Sequence, residues 1–152
     1  MVKTKKKNEG LTERLNTQVA NFSVLYMKLH NYHWYVKGEN FFTLHVKFEE
    51  LYTEVALHLD TIAERMLSLR SAPTATLEEQ LQLSSIKEAT GDENAQDMVK
   101  ILADDFNTIC SELTEGITLA EDNDDQPTAD MFIAIRNSLE KHRWMFAAYL
   151  AE

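Results

Sequence analysis

The segment that decides the fold covers residues 44–66 and reads LHVKFEELYTEVALHLDTIAERM. Its apolar side chains recur every three or four positions, which places them on one face of an α-helix. These residues are Leu44, Phe48, Leu51, Val55, Leu59, Ile62 and Met66. The segment contains no glycine or proline, so we expect one uninterrupted helix that ends before Pro73. A helix with one apolar face needs other elements to cover that face.

The same spacing recurs in three further segments, so the chain is predicted to be all-α. They span residues 11–36, 98–117 and 131–149, and Gly38 is expected to end the first of them. Thr76-Leu77-Glu78-Glu79 has the form of a capping box and predicts a short helix as far as Leu83. We therefore predict a ferritin-like four-helix bundle with a short extra helix in the crossover between helices two and three. A bundle with only short loops stays open as an alternative.

The composition agrees with a helical protein, since the 152 residues include only 4 Gly and 2 Pro and 44% are hydrophobic. We expect a flexible lysine-rich tail in residues 1–10 and one bundle domain in residues 11–152. No apolar run approaches the length that spans a bilayer, and Asn8-Glu9-Gly10 stands where a signal peptide would be apolar. Together with the single cysteine, Cys110, these features predict a cytoplasmic protein without a membrane partner.

Charge is distributed unevenly along the chain, whose formal net charge is −10. Beyond the four lysines of the tail, 11 Lys and Arg stand against 25 Asp and Glu, a balance of −14. A body this acidic repels nucleic acids and membrane surfaces and attracts cations. The tail lysines are either a solvated extension without function or an arm that binds DNA when many copies act together. They are Lys3, Lys5, Lys6 and Lys7.

Four potential metal ligands share the first two helices, with His33 on the first and His45, Asp60 and Glu64 on the second. At 100° per residue, Asp60 and Glu64 lie roughly 60° and 100° around the second helix from His45, on one stripe. Along the axis, however, His45 and Asp60 are about 22 Å apart at 1.5 Å per residue. One chain cannot close that gap, whereas two copies can when a two-fold axis packs the helix antiparallel against itself. The spacing therefore predicts a metal site between subunits.

Imidazole and carboxylate ligands together suit Fe(II), Mn(II) or Zn(II). Glu49 lies one turn after His45 on the same stripe, where it would be a fifth ligand or a hydrogen-bond partner of a ligand. The chain has no Glu-x-x-His pair and no His-Glu-x-x-His, which argues against a di-iron site inside one bundle and against a zinc protease. The alternative is that each histidine simply packs in the bundle with one hydrogen bond.

Two spaced motifs frame these ligands. The first is the run His33–Gly38 (HWYVKG), followed by Leu44-His45 and Glu49; the second is Leu59–Arg65 (LDTIAER). Both resemble the signatures of the Dps family, the mini-ferritins named as DNA-binding proteins from starved cells. The resemblance extends from about Leu11 to Leu150. One departure is Arg70-Ser71, which stands where the family usually has a glycine or another small turn residue.

The resemblance implies a bacterial ferroxidase that forms a hollow shell of twelve subunits with 23 symmetry. It implies two iron positions, as Fe²⁺ and then Fe³⁺, in each centre at a two-fold interface, with His33 and His45 from one chain and Asp60 and Glu64 from its neighbour. Such a protein oxidises Fe(II) with hydrogen peroxide or dioxygen and stores ferric mineral, which protects the cell and its DNA. Trp34, beside a ligand, is either an electron donor when one iron is bound or simply a buried aromatic of the bundle. Binding to DNA would make the protein a nucleoid-associated one, and condensing the nucleoid through the lysine tail is the alternative function.

An acidic cluster surrounds the turn between the last two helices. The resemblance places this turn at a three-fold pore and implies an ion path through Glu121, Asp125 and Asp130. The simpler interpretation is that aspartates at the start of the last helix complement its dipole. Among the remaining histidines, His30 and His58 are expected at a surface or interface, and His142 is expected in the core.

Overall fold

Five α-helices make up the computed structural model, which describes the backbone of residues 2–152 and the side chains of residues 9–152. They are α1 (Val2–Tyr35), α2 (Phe41–Ser68), α3 (Leu77–Leu83), α4 (Ala95–Asp122) and α5 (Gln126–Leu150). This confirms the all-α prediction and the short helix in the crossover between the second and third long helices. Throughout the described chain, every helix is too short or too polar to cross a membrane.

The four long helices form two hairpins. Short turns join α1 to α2 and α4 to α5, and each hairpin is packed closely along its length. The long crossover between α2 and α4 carries α3, which packs on α1. Between the hairpins lies one core of large buried side chains, which include Leu15, Phe22, Leu25, Leu29, Tyr32, Phe48, Leu51, Ile62, Met66, Leu102, Phe106 and Phe132. The apolar face predicted for α2 is buried in this core, apart from Leu59, which is partly buried against it.

The predicted tail overlaps the start of α1. Helix α1 begins at Val2, but the side chains of residues 1–8 lie outside the described part of the chain. The four lysines proposed as a DNA contact, Lys3, Lys5, Lys6 and Lys7, are among them. The flexible tail and its lysine contacts therefore stay predictions.

Helix starts follow the predicted capping residues only in part. The Thr76 side chain accepts the N–H of Glu79, as expected, but the Glu79 carboxylate accepts a hydrogen bond from the Thr74 hydroxyl instead of completing a capping box. A complete capping box opens α4, where Asn94 and Asp97 cap each other's backbone N–H. The starts of α3 and α4 are thus capped by side chains close in sequence.

The turn at the end of α2 keeps a glycine-type backbone conformation, although Arg70-Ser71 stands in place of the usual small residues. Arg70 has a φ of 59°, in the left-handed region that glycine normally occupies. The N–H of Ser71 donates to the Met66 carbonyl at 2.9 Å, and the N–H of Arg70 donates to the Leu67 carbonyl at 2.9 Å. These two bonds form a Schellman motif, so the helix ends in the glycine-type turn despite an arginine. The left-handed conformation costs this residue roughly 1–2 kcal/mol.

Candidate metal centre

His33 and His45 meet at the turn between α1 and α2, as their equal distance from that turn implies. Their imidazole rings stack with centroids 3.7 Å apart and planes 15° apart. The Nδ1 of His33 lies 2.7 Å from the backbone oxygen of His45, and the Nδ1 of His45 lies 2.7 Å from the backbone oxygen of His33. Each histidine is therefore anchored to the backbone of the other, and the pair is held on two helices at once.

This reciprocal bonding determines the tautomer of both rings. A carbonyl oxygen only accepts hydrogen bonds, so each Nδ1 carries a hydrogen, and the neutral form of each ring has its lone pair on Nε2. Histidines that bind metals usually have their other ring nitrogen anchored in this way. Neither Nε2 has a hydrogen-bond partner among the side chains that the structure describes. Packing with one hydrogen bond, the simpler interpretation, thus accounts for one nitrogen of each ring and leaves the other available to a metal.

The acidic ligands lie elsewhere on the same chain. Asp60 and Glu64 are exposed on α2, about 22 Å or more along the helix axis from His45 at 1.5 Å per residue. Glu49 is also exposed, one turn after His45. Residues 9–152 of a single chain contain no group of three or more His, Cys, Asp or Glu that could hold a metal ion. The chain brings two of the predicted ligands together and separates the other two from them.

The face of α2 that carries the two acids also exposes large apolar side chains. Val46, Leu57 and Leu67 are 62%, 67% and 60% exposed. At 100° per residue, all three lie roughly 40–120° around the helix from His45, the same sector as Asp60 and Glu64. Exposed apolar residues clustered on one helix face indicate a protein–protein interface.

Further aromatic side chains of α1 and α2 lie close to the histidine pair. The ring of Tyr52 stands edge-on to His33, with centroids 5.3 Å apart and planes at 90°. His30 stacks on Tyr52 at 3.8 Å and 18°, and Trp34 contacts His30 at 5.3 Å. Trp34 itself is 61% exposed within the chain, so it is not the buried aromatic of the simpler interpretation.

Sequence reasoning missed Tyr52 and assigned His30 to a surface or interface. Tyr52 follows His45 by seven residues, which returns it to within roughly 20° of the same helix face, so its spacing was a usable signal. Burial raises the pKa of the Tyr52 phenol, and the nearby Glu49 carboxylate and Tyr26 raise it further. The hydroxyl therefore keeps its proton at neutral pH.

A second histidine cluster joins α2 to α5 within the bundle. His142 is buried, as predicted, and its Nε2 lies 2.7 Å from the Glu54 carboxylate. His58, expected at a surface or interface, is turned inward with its Nε2 3.0 Å from the same carboxylate, and the Ser138 hydroxyl also donates to that carboxylate. Hydrogen bonds from His142 and His58 hold the pKa of Glu54 well below its usual range. This carboxylate ties the two helices together.

Asp125 has a structural role in the acidic turn. Its carboxylate caps α5 by accepting the backbone N–H of Thr128 at 3.1 Å and the Thr128 hydroxyl at 2.6 Å, and it pairs with Arg65 at 2.7 Å. Burial acts to raise the pKa of Asp125, but the bonds from Thr128 and Arg65 outweigh it and lower the pKa. Glu121 and Asp130, the other residues predicted for an ion path, are exposed.

Known proteins match this chain along almost its whole length. A model of the ferritin-like domain matches residues 12–152. General stress protein 20U of Bacillus subtilis is 53% identical over 143 residues, which are 94% of this chain and 99% of that protein. The DNA protection during starvation protein of Brevibacillus brevis is 56% identical over 136 residues, 90% of this chain and 91% of its own length. The crystal structure of a Dps protein from Bacillus brevis superposes with a TM-score of 0.94 at 52% identity, covering 95% of this chain and 97% of that one.

The chain belongs to the Dps family. This confirms the resemblance drawn from the two motifs and the ferritin-like class of the bundle. Because the ferritin-like domain model matches residues 12–152, the helices that carry the predicted ligands lie within the matched region.

Proposed function

We propose that this Dps-family chain is a ferroxidase and iron-storage protein that oxidises Fe(II) at centres shared between two subunits. In each centre His33 and His45 of one subunit face Asp60 and Glu64 of another, with Glu49 as a further ligand or as a partner of one. The observation that carries the proposal is the reciprocal bond between the two histidines, which leaves both Nε2 lone pairs available. The set of two nitrogen and two or three oxygen donors suits Fe(II).

The need for a second copy follows from the position of the acids. Asp60 and Glu64 have no ion pair within the described chain, and they stand on a helix face with exposed apolar side chains. An antiparallel copy of α2 would cover that face and bring the acids of one chain to the histidines of the other. Two-fold pairs of this kind would build the twelve-subunit shell with 23 symmetry that the family resemblance implies.

Two ferrous ions at one centre give the reaction its chemical advantage. Each would deliver one electron to hydrogen peroxide, whose O–O bond breaks, and two protons complete two molecules of water. Both electrons then arrive in one event, so no hydroxyl radical is released. Ferric mineral would collect inside the shell, in the bacterial cytoplasm, with dioxygen as an alternative oxidant.

The exposed acids of the α4–α5 turn are proposed to guide Fe(II) into the shell. Negative potential focused at a narrow opening raises the local concentration of cations. Glu121 and Asp130 are free to act in this way, whereas Asp125 is engaged by Arg65 and Thr128. The ion path therefore depends mainly on the first two.

Binding to DNA is the second candidate function. Relatives of this chain carry the name DNA protection during starvation protein, and the four tail lysines are the only basic run. Twelve tails on one shell would act together, although each sits on a body of charge −14. Any contact would ignore base sequence and weaken steeply with salt, because it rests on counterion release from phosphates. If it forms, the shell would be associated with the nucleoid.

The shared centre is tested with two variants that damage opposite halves of it. His33→Ala and Asp60→Ala should each slow peroxide-driven Fe(II) oxidation at least about tenfold, because a ligand is lost from every centre. Asp104→Ala, which removes an exposed carboxylate from α4, is the matched control and should leave the rate unchanged. Size-exclusion chromatography verifies that all variants assemble.

Mixed shells distinguish a shared centre from one within a chain. When the two variants are unfolded together and reassembled, a pair of unlike chains contains one centre with all its ligands and one that lacks both mutated ligands. Random pairing then restores about one quarter of the parental activity. If mixed shells are as inactive as each variant alone, the ligands come from one chain, and unchanged rates in the single variants would remove these residues from the site.

A further inference from the structure

We propose that a cavity between α1 and the crossover helix α3 binds a small uncharged molecule that combines an apolar ring with an amide group. The cavity has a volume of about 200 Å³. An apolar cavity of about 150 Å³ holds a benzene molecule, so this one has room for a ring with one substituent. The cavity is separate from the histidine pair, since Lys28 on its wall lies about 140° around α1 from His33 at 100° per residue.

Hydrogen bonds between α1 and the crossover hold the walls of the cavity in place. The Ser23 hydroxyl donates to the side-chain oxygen of Gln80 at 2.5 Å, and the side-chain amide of Gln80 donates to the Thr74 carbonyl at 3.1 Å. The cavity is therefore formed before a ligand arrives. Most of its remaining wall is apolar, and a preformed apolar pocket with a few polar groups is typical of small-molecule sites. The apolar residues are Val24, Met27, Leu77, Leu81 and Ala89.

Lys28 brings a buried ammonium group to this wall. The residue is only 3% exposed, and its Nζ donates a hydrogen bond to the Asp105 carboxylate at 2.6 Å. An ammonium group has three N–H donors, and among the described residues Asp105 is the one acceptor of Lys28. Buried donors normally have partners, because an unsatisfied one costs free energy of folding. An oxygen atom of a ligand in the cavity would supply the missing acceptor.

The charges around the cavity favour an uncharged ligand. Asp105 already neutralises Lys28, and burial raises the pKa of the Asp105 carboxyl although Lys28 acts to lower it. Glu88 adds an exposed carboxylate to the wall. A ligand carboxylate would therefore lose its hydration beside two like charges. An amide avoids this cost, because its carbonyl accepts from Lys28 while its N–H groups donate to Glu88 or to the side-chain oxygen of Asn31, which also lines the cavity.

The test titrates three one-ring probes into the assembled full-length protein without iron, and fluorine NMR gives the dissociation constant of each. The probes are para-fluorobenzamide, para-fluorobenzoate and para-fluorotoluene. Val24→Phe fills the cavity with a ring, and Ile133→Phe, which enlarges an exposed residue of α5, is the matched control. Lys28→Met combined with Asp105→Leu removes both partners of the ion pair, because removal of one alone would leave a buried charge unpaired. If Val24→Phe fails to assemble, Ala89→Leu fills the cavity from the other wall.

We expect saturable binding of the benzamide at one site per chain, with dissociation constants at least about tenfold higher for the other two probes. Binding should be lost in the cavity-filling variant and retained in Ile133→Phe. The variant without the ion pair should bind the toluene at least as tightly as the benzamide, because the apolar wall remains and the donors are gone. Equal binding of all three probes by the parent, benzamide binding that survives filling of the cavity, or no saturable binding overturns the inference. So does a benzamide-soaked crystal in which only water, or a side chain from another copy of the chain, occupies the cavity.

Discussion

Replacing Gly116 by alanine changes the stability of the protein in two opposite directions, because helix propensity favours alanine and close packing disfavours it. It lies in the interior of α4 and is buried. A Cβ added there would stand 2.7 Å and 3.0 Å from two ring carbons of Phe132, and 3.2 Å from the Cγ of Arg14. Phe132 has no exposed surface, so its ring has no free space into which to move. Gly10, in α1, is the matched control, because the nearest atom to its added Cβ is a Leu119 methyl carbon at 4.0 Å.

The magnitudes follow from these distances. Replacing a helical glycine by alanine raises the free energy of unfolding by about 1 kcal/mol when nothing clashes. Overpacking a well-filled core lowers it by about 1–3 kcal/mol. We therefore expect Gly10→Ala to stabilise the protein by about 1 kcal/mol and Gly116→Ala to destabilise it by about 1 kcal/mol, a difference of about 2 kcal/mol.

Urea unfolding followed by circular dichroism measures both variants, at equal protein concentration because assembly contributes to the stability of each chain. A Gly116→Ala variant as stable as Gly10→Ala would refute the close packing of Phe132 on α4. A Gly10→Ala variant with no gain would instead show that α1 is not formed at this position, as expected for a flexible tail that reaches residue 10.

Three further predictions concern charge. Glu121→Gln with Asp130→Asn should slow iron uptake at low salt and have less effect as salt is raised, measured as growth of ferric absorbance; equal rates at low salt would mean that iron uses another path. The depressed pKa of Glu54 stabilises the fold above the unfolded-state value near 4.5, and this stabilisation is lost as pH falls below it. Glu54→Gln should therefore flatten the fall of the melting temperature on the acid side, and an unchanged acid slope would contradict this role. Deleting residues 1–8 should abolish any gel shift of DNA at low ionic strength while iron oxidation continues, and a shift that survives the deletion would locate the contact elsewhere.

The helices and the meeting of His33 with His45 could be predicted from the sequence because both depend on local spacing. Apolar residues three and four positions apart mark the buried face of α2, and Pro73 limits its end. His33 and His45 are equally distant from a tight turn, so any antiparallel hairpin brings them to one height. The motifs around them are long enough to indicate the Dps family from the sequence alone.

Other features could not be predicted from the sequence, because they depend on the register between helices, which local spacing leaves undetermined. Asn40 stands at the start of α2, yet its side chain donates to the Tyr149 hydroxyl of α5 instead of capping the helix. His58 is drawn inward by Glu54, which α5 engages through His142. Asp125 is occupied by Arg65 from a helix distant in sequence.

At the candidate site, too, some chemical features follow from the sequence and others only from the tertiary structure. Residue types and their spacing determined by themselves that two imidazoles and two carboxylates lie in the first two helices, too far apart for one chain to join. Only the tertiary structure decided which nitrogen of each histidine is free and which ring touches His33. Helix periodicity arises from hydrogen bonds between residues four positions apart, so a sequence carries it directly. The bonds and ring contacts at the site join side chains or backbone of different helices, and they exist only once the packed core sets how far each helix is rotated and shifted against its neighbour.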